Sequence, residues 1–151
     1  MHFKNLDEVD RQILKYLSED GRLSNAELGR MIKLTRAAVR DRVNKLVENG
    51  IIDRFTIVIN PLKAGRNISM YFEIEVEWPK INQVVSELLK KEEITNIYQM
   101  SSIGHLHVHA LFEDQTHTSN FIESLKTLNG IKNVNSEFLI KRFKERGSIL
   151  I

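Results

Sequence analysis

Residues 35–50, TRAAVRDRVNKLVENG, have the pattern of an amphipathic helix with its own start and stop signals. Thr35 is a good N-cap because its hydroxyl can accept a hydrogen bond from an otherwise unpaired N–H in the first turn. Gly50 supplies the left-handed residue that closes a helix. The apolar residues recur at helical spacing in one stripe: Val39, Val43, Leu46 and Val47. The stretch therefore predicts a helix that buries one face and exposes the other.

The exposed face of this helix carries Arg36, Arg40 and Asn44 at i, i+4 and i+8. In the major groove of DNA, arginine can donate a bidentate pair of hydrogen bonds to guanine, and asparagine can pair with adenine. Beside them lie three further residues, of which the first is small enough for a close approach: Ala37, Asp41 and Lys45. The pattern predicts a recognition helix. The alternative is a solvated face whose charges only support the helix.

Positive charge is concentrated around the same helix. Residues 30–45 contain six basic residues and one acidic residue, whereas residues 55–151 contain eleven of each. Such a basic patch is typical of a DNA-binding face. Lys33, Arg42 and Lys45 are predicted to contact phosphates, which position a protein without specifying sequence. Arg42 could equally be the partner in an ion pair within the domain.

Two shorter helical patterns precede this helix. The first begins within residues 6–10, which place acids in the first turn, and it ends near Gly21. The second begins with a capping box, in which Ser24 is the cap and Glu27 reaches back to it, and it runs to about Ile32. A helix start of this kind can also meet a DNA phosphate, so Ser24 is a candidate contact. Two helices joined by a short turn, the second of them basic, predict a helix-turn-helix.

The hydrophobic pattern changes after Gly50. Residues 51–59 are rich in β-branched residues and are predicted to form a strand, and residues 60–67 contain Pro, Gly and Asn and are predicted to be a linker. Residues 68–151 then read β-α-β-β-α-β, a ferredoxin-like order. The predicted elements are strands at 68–77, 94–101, 105–112 and 131–143, a helix from Pro79 to about 91, and a helix capped by Asp114 that stops at Asn129-Gly130.

The predicted chain is therefore an α+β protein with a helix-turn-helix domain and following strand at 1–59, a linker at 60–67, and a ferredoxin-like domain at 68–151. The tail, residues 148–151, could add an edge strand. No apolar run approaches the length of a membrane span, and the N-terminus lacks the apolar segment of a secretory signal. With no cysteine, no disulfide argues for export, so a cytoplasmic location is expected.

Three histidines alternate along the third strand of the predicted ferredoxin-like domain. His105, His107 and His109 should share one face of that strand. Same-face neighbours on a strand lie about 7 Å apart, whereas Zn–N bonds measure about 2 Å, so all three cannot readily reach one ion. A metal site remains an alternative to an oligomer interface or an effector pocket.

Several stretches resemble the Lrp/AsnC family, the feast/famine regulators of bacteria and archaea. They are LDEVDRQILKYLSEDGRLSNAELG (6–29), TRAAVRDRVNKLVENGIIDRFTIVINPLKAG (35–65), SSIGHLHVHALF (101–112) and LNGIKNVNSEFLI (128–140). The resemblance implies a transcription regulator without catalytic residues or cofactors. It also implies dimerisation through the sheets of the regulatory (RAM) domains, assembly of dimers into octamers, and pseudo-palindromic double-stranded DNA sites.

The resemblance further implies a small effector, such as an amino acid, near the turn between the second and third strands. The residues implied for this site are Ser102, Ile103, Gly104, His105 and His107. His107 stands where family members that bind amino acids commonly have Asp, and a neutral imidazole pairs poorly with an ammonium group. The alternatives are a metal-responsive regulator, a related tetrapyrrole-modifying enzyme that uses the histidines, and an architectural protein with little sequence preference.

Overall fold

A computed structural model describes residues 6–144, which divide into two compact units. Among the described residues, the first unit comprises residues 6–58 with Lys144, and the second comprises residues 59–143. In the described part of the chain, no helix is long and apolar enough to cross a membrane.

The first unit contains three helices: α1 (Glu8–Glu19), α2 (Asn25–Ile32) and α3 (Arg36–Glu48). The predicted caps of α2 and α3 are confirmed. The Glu27 N–H donates to the Ser24 hydroxyl at 3.2 Å and the Ser24 N–H donates to the Glu27 carboxylate at 2.8 Å. The Thr35 hydroxyl accepts from the Ala38 N–H at 3.2 Å. Gly50 has φ +67°, the left-handed conformation expected after α3.

The start of α1 holds a second capping box that the sequence did not predict. The Asp10 N–H donates to the Asp7 carboxylate at 2.8 Å, and the Asp7 N–H faces an Asp10 oxygen at 3.4 Å. A capping box usually has Glu or Gln at the third helical position, so Asp at position 10 is a weaker sequence signal for this motif. Asp7, the N-cap, and Asp10, in the first turn, therefore bond backbone groups, and the negative charge of Asp10 also meets the helix dipole.

One hydrophobic core joins the three helices, and it is formed by Leu6, Ile13, Leu14, Leu28, Val39, Val43 and Leu46. The turn between α2 and α3 packs closely on α2 at Gly29. A Cβ at Gly29 would lie 2.5 Å from the Leu34 carbonyl oxygen, and the Leu34 N–H donates to the Gly29 carbonyl at 2.8 Å. The absence of a side chain at Gly29 therefore permits the tight approach of the turn.

The second unit is a four-stranded antiparallel sheet with two α-helices. Its elements are β1 (Ile68–Val76), α4 (Ile81–Leu88), β2 (Ile94–Gln99), β3 (His105–Phe112), α5 (Gln115–Lys126) and β4 (Ile131–Phe138), with a 3-10 turn at Trp78–Lys80 before α4. The strand order is β2-β3-β1-β4, and all neighbours are antiparallel. Buried residues of β1 and β3 form a single core with those of α4 and α5. The predicted α+β, ferredoxin-like fold is confirmed.

The predicted strand at residues 51–59 is wrong. Residues 53–59 are not assigned to a strand, and among the described residues no backbone hydrogen bond joins them to another segment. Ile57 is 78% exposed and the adjacent Val58 is 80% exposed, so neither side of the segment is buried. β-branched residues favour a strand only where a neighbouring strand is available, because the stabilisation comes from cross-strand packing.

Two further boundaries differ from prediction. β4 ends at Phe138 rather than at residue 143, because β1 begins at Ile68 and offers no partner beyond the bond from the Leu139 N–H to the Ser69 carbonyl at 2.9 Å. The helix predicted from Pro79 to about 91 begins as the 3-10 turn and ends at Leu88. The predicted edge strand at 148–151 lies outside the described residues.

Candidate DNA-binding surface and effector region

The predicted recognition face is the exposed side of α3. Val39, Val43 and Leu46 are buried against α1 and α2. The face away from that core is exposed and carries the predicted base-reading residues and their neighbours: Arg36, Ala37, Arg40, Asp41, Asn44 and Lys45. The fold thus leaves these side chains accessible to a DNA groove.

Arg40 is held by the residue next to it. Its Nε and Nη2 donate to the same Asp41 carboxylate oxygen at 3.1 and 3.0 Å, and both side chains are 61% exposed. An exposed pair of this kind adds little stability. Its effect is to limit the orientations of the guanidinium on the outer face of the helix.

Arg42 lies on a different side of α3 and turns toward the start of α1. Its Nη1 donates to Asp7 at 2.7 Å and to Asp10 at 2.8 Å, and its side chain is 33% exposed. These hydrogen bonds raise the pKa of Arg42 above its usual range. The geometry favours the ion-pair alternative for Arg42 over the predicted phosphate contact.

The same contacts act on Asp7. The hydrogen bond from the Asp10 N–H, and then the one from Arg42, hold the pKa of the Asp7 carboxyl below its ordinary value of 3.8. A carboxyl whose pKa is lower in the folded state stabilises that state above its unfolded pKa, and this contribution is lost as the pH falls through the folded pKa.

Asp7→Asn is therefore expected to lower the stability of the first unit at neutral pH, and the difference from wild type should shrink as the pH falls below 3.8. Asparagine keeps a good N-cap, so the change isolates the charge. Urea unfolding followed by circular dichroism at neutral and acidic pH measures the difference. Glu8→Gln, which removes an exposed first-turn carboxylate with no ion pair to another described residue, is the control. A wild-type advantage that is the same at every pH would contradict the expectation.

The remaining predicted DNA contacts lie around the two helix starts. Lys33 is exposed and is the C-cap of α2, in the left-handed conformation with φ 59° and ψ 43°. Thr35 and Ser24 are the exposed N-caps of α3 and α2. Their capping roles are confirmed, while contact of Lys33, Thr35 or Ser24 with DNA stays a prediction.

The predicted effector residues lie at the turn between β2 and β3. Gly104 is buried there with φ +74°, and its carbonyl accepts from the Val76 N–H at 2.7 Å. The Ser102 carbonyl accepts from the His105 N–H at 3.2 Å, and the Ile103 side chain is 77% exposed. The turn is therefore fixed to the end of β1 by its backbone and presents an apolar side chain to the outside.

The three histidines of β3 share one face of the sheet, as predicted, because the residues between them are buried and they are not. Each faces a β1 residue in register: His105 opposite Glu75, His107 opposite Glu73 and His109 opposite Tyr71. The His107 Nε2 lies 3.3 Å from a Glu73 oxygen. The carboxylate beside His107 is a feature that sequence reasoning missed, because the pairing register of β1 and β3, which are distant in the sequence, decides it.

His109 is the most constrained of the three histidines. Its Nε2 lies 2.7 Å from the Ser69 hydroxyl, its Nδ1 lies 3.0 Å from the Thr95 hydroxyl, and its ring stacks on Tyr71 with centroids 4.5 Å apart. These contacts tie β3 to β1 and β2. Across residues 6–144, no group of three His, Asp or Glu side chains is arranged to hold a metal ion.

Models of two known domain families match this chain, one in each unit. A model of winged helix-turn-helix DNA-binding domains matches residues 6–53, and a model of the Lrp/AsnC ligand-binding domain matches residues 69–149. The chain belongs to the Lrp/AsnC family. The two matches agree with the helix-turn-helix in the first unit and the ferredoxin-like sheet in the second.

Relatives and solved structures agree with this assignment. An uncharacterised HTH-type transcriptional regulator of Pyrococcus horikoshii is 37% identical over 135 residues, which cover 89% of this chain and 85% of the relative. The regulator NMB0573 of Neisseria meningitidis, solved as a complex with L-Met, has a TM-score of 0.89 at 22% identity and 96% coverage of both chains. AsnC of E. coli has a TM-score of 0.88 at 20% identity, covering 97% of this chain and 99% of its own.

This Lrp/AsnC protein is accordingly a DNA-binding transcriptional regulator with a ligand-binding domain, and the relative from Pyrococcus horikoshii is likewise named a transcriptional regulator. The structure exposes the predicted recognition face together on α3 and brings the predicted effector residues together at one turn. It separates Arg42 from the recognition face by pairing that residue with α1.

Proposed function

We propose that this protein binds double-stranded DNA sequence-specifically as a dimer or larger homo-oligomer, and that a small molecule bound near the β2–β3 turn modulates binding. The observation that carries the DNA part is the exposure of Arg36, Arg40 and Asn44 on one side of α3 while the opposite side is buried. Residues four apart on a helix are about 6 Å apart along its axis, a distance comparable with two base-pair steps. The three side chains are therefore spaced to reach positions about two base pairs apart along one major groove.

Two exposed surfaces support association with a second copy of the chain. Residues 55–59 expose Phe55, Ile57, Val58 and Ile59, which is unusual for a segment that remains in water. The sheet face that carries the histidines is not covered by α4 or α5, which pack on the other face. A two-fold dimer would present two copies of α3, and its DNA sites would be pseudo-palindromic.

Selection of binding sites from a random pool of duplex DNA tests this part of the proposal. We expect enrichment of inverted half-sites whose centres are separated by about 10 base pairs or a multiple of that length. The selected duplex should also resist competition by mixed-sequence DNA. Failure to enrich any sequence, with binding retained, would instead indicate an architectural protein with little preference.

The effector part rests on the surroundings of His107. The neighbouring Glu73 offers a carboxylate that can attract an ammonium group, although His107 occupies the position of the family Asp. An amino acid is therefore the effector class that we propose, and the L-Met complex of the Neisseria meningitidis regulator is consistent with it.

Calorimetric titration with a panel of amino acids and with zinc tests the effector. We expect saturable binding of an amino acid, lost in Glu73→Gln and kept in Glu137→Gln, which removes an exposed carboxylate of β4 in register with Tyr71. Zinc binding that is lost in His107→Ala would favour a metal-responsive regulator. Absence of binding by the whole panel would contradict an amino-acid effector.

A further inference from the structure

An open groove of about 560 Å³ lies between α2 and the start of α3, beside the recognition face. It is lined by Ala26, Gly29, Arg30, Lys33, Leu34, Thr35 and Arg36. Three of these seven residues are basic and the others are small, apolar or hydroxylic, so no carboxylate belongs to the lining. The groove is wide open to solvent and is positively charged.

The three basic residues of the groove differ from the arginines further along α3 in that no salt bridge joins them to a described carboxylate. Within residues 6–144, Arg30, Lys33 and Arg36 form no ion pair, whereas Arg40 is paired with Asp41 and Arg42 with α1. The three positive charges around this groove repel one another, and an anion bound between them would relieve that repulsion.

The carboxylate nearest to Arg30 along α2 is already engaged. Glu27 accepts hydrogen bonds from Ser24, and these bonds, with a smaller contribution from the charge of Arg30, hold the pKa of Glu27 below its ordinary value. No salt bridge joins Glu27 to Arg30 in the described structure. Arg30 is exposed and lies three residues after Glu27 on α2. The capping box thus leaves Arg30 available to an external anion.

The backbone of the turn brings Lys33 to the same groove. Lys33 is the one non-glycine residue with positive φ in the described part of the chain. Helix ends of this conformation favour Gly or Asn, so a lysine carries a backbone cost that glycine would avoid. The close approach of the turn to Gly29 then fixes the position of Lys33 relative to α2.

We propose that this groove binds one phosphate of the DNA backbone, with Arg30 as a contact that the recognition-helix pattern does not include. Arg30, Lys33 and Arg36 supply the charge. The Thr35 hydroxyl, which accepts from the Ala38 N–H, keeps its own proton as a donor. The inference rests on the proposed DNA binding. It assigns one contact with the DNA backbone to α2 and α3 together. Arg36 then contributes to positioning as well as to the base-reading face.

The salt dependence of binding to a mixed-sequence duplex tests this proposal, since it needs no knowledge of the operator. The slope of log K against log salt concentration falls by about 0.9 for each lost phosphate contact. We expect Arg30→Gln to flatten the slope by about that amount for each copy of the chain that binds. Arg30→Lys, which keeps the charge, should retain the wild-type slope.

Arg11→Gln is the matched control, because Arg11 is an exposed arginine on α1 that does not line the groove. Thermal unfolding of each variant verifies that the first unit is intact. If Arg30→Gln is folded and gives the same slope as Arg11→Gln, the proposal is overturned. If the wild-type protein fails to bind duplex DNA at all, the proposed function itself fails, which is a distinguishable result.

Titration of the free protein with inorganic phosphate at constant ionic strength separates a DNA phosphate from a free one. We expect no saturable binding, because the groove is open and a single free phosphate lacks the other contacts of a duplex. Saturable phosphate binding that disappears in Arg30→Gln, together with an unchanged DNA salt slope, would overturn the assignment to the DNA backbone.

Discussion

Replacing Arg40 with alanine is expected to weaken binding to the selected operator roughly 5-fold to 150-fold for each recognition helix, which corresponds to a bidentate base contact of about 1–3 kcal/mol. Binding to mixed-sequence DNA should fall much less, because phosphate contacts supply most of it. The reason lies in the position of Arg40 on the exposed side of α3, where Asp41 holds its guanidinium without burying it.

Fluorescence anisotropy with the two duplexes, measured at one salt concentration, gives the specificity ratio. Arg54→Ala is the matched control, because Arg54 also pairs with an adjacent exposed aspartate, Asp53, at 3.6 Å but lies beyond α3. Equal losses on operator and mixed-sequence DNA would show that Arg40 does not read a base.

Gly104→Ala is expected to destabilise the second unit by about 3 kcal/mol, the sum of a left-handed backbone penalty and the cost of overpacking. Gly104 has φ +74°, and an added Cβ would collide with the Val76 carbonyl at the end of β1. The bond from the Val76 N–H to the Gly104 carbonyl keeps the turn from moving away. Effector binding near this turn should be lost together with stability.

Gly65→Ala supplies the control for Gly104→Ala. Gly65 has φ +82° and would place its Cβ in open space, so it should show only the backbone penalty, about 1 kcal/mol. Urea unfolding followed by the fluorescence of Trp78, the single tryptophan of the chain, reports on the second unit. Similar losses in the two variants would contradict the close contact with Val76.

The helices of this protein could be predicted well because their signals are local. Ser24, Thr35 and Asp114 each precede a helix and accept a hydrogen bond from the N–H three residues later, so a few neighbouring residues decide each start. The bounds of β3 can likewise be predicted from the sequence, because its alternation of histidine with apolar residues matches the two faces of the sheet.

Features that depend on distant residues could not be predicted. The partners of Arg42 lie 32 and 35 residues earlier in the chain, and nothing next to Arg42 distinguishes an ion pair from a phosphate contact. The strand predicted at residues 51–59 is wrong for the same reason. The composition of this segment favours a strand, but a strand also needs a second segment to pair with, and local sequence does not show whether one is present. β4 was predicted too long because the start of β1 decides where β4 loses its neighbour.

For the candidate site, the sequence predicted which side of α3 is exposed, because the buried stripe alone determines it. It could not predict Glu73 beside His107, which follows from the β1–β3 register, or the groove at Arg30, which follows from the tight turn at Gly29. Base contact by Arg36, Arg40 and Asn44 and effector contact at the β2–β3 turn remain predictions.

Asp7 and Asp10 serve two purposes at once, since they cap α1 and also bind Arg42 in the middle of α3. Fraying of the first turn of α1 would therefore also break the ion pairs of Arg42, so opening at the start of α1 and loss of this contact with α3 should occur together. In native-state hydrogen exchange, the amides of the first helical turn should then be protected far longer than is usual at a helix end. The placement of α3 would thus depend in part on two carboxylates of a different helix.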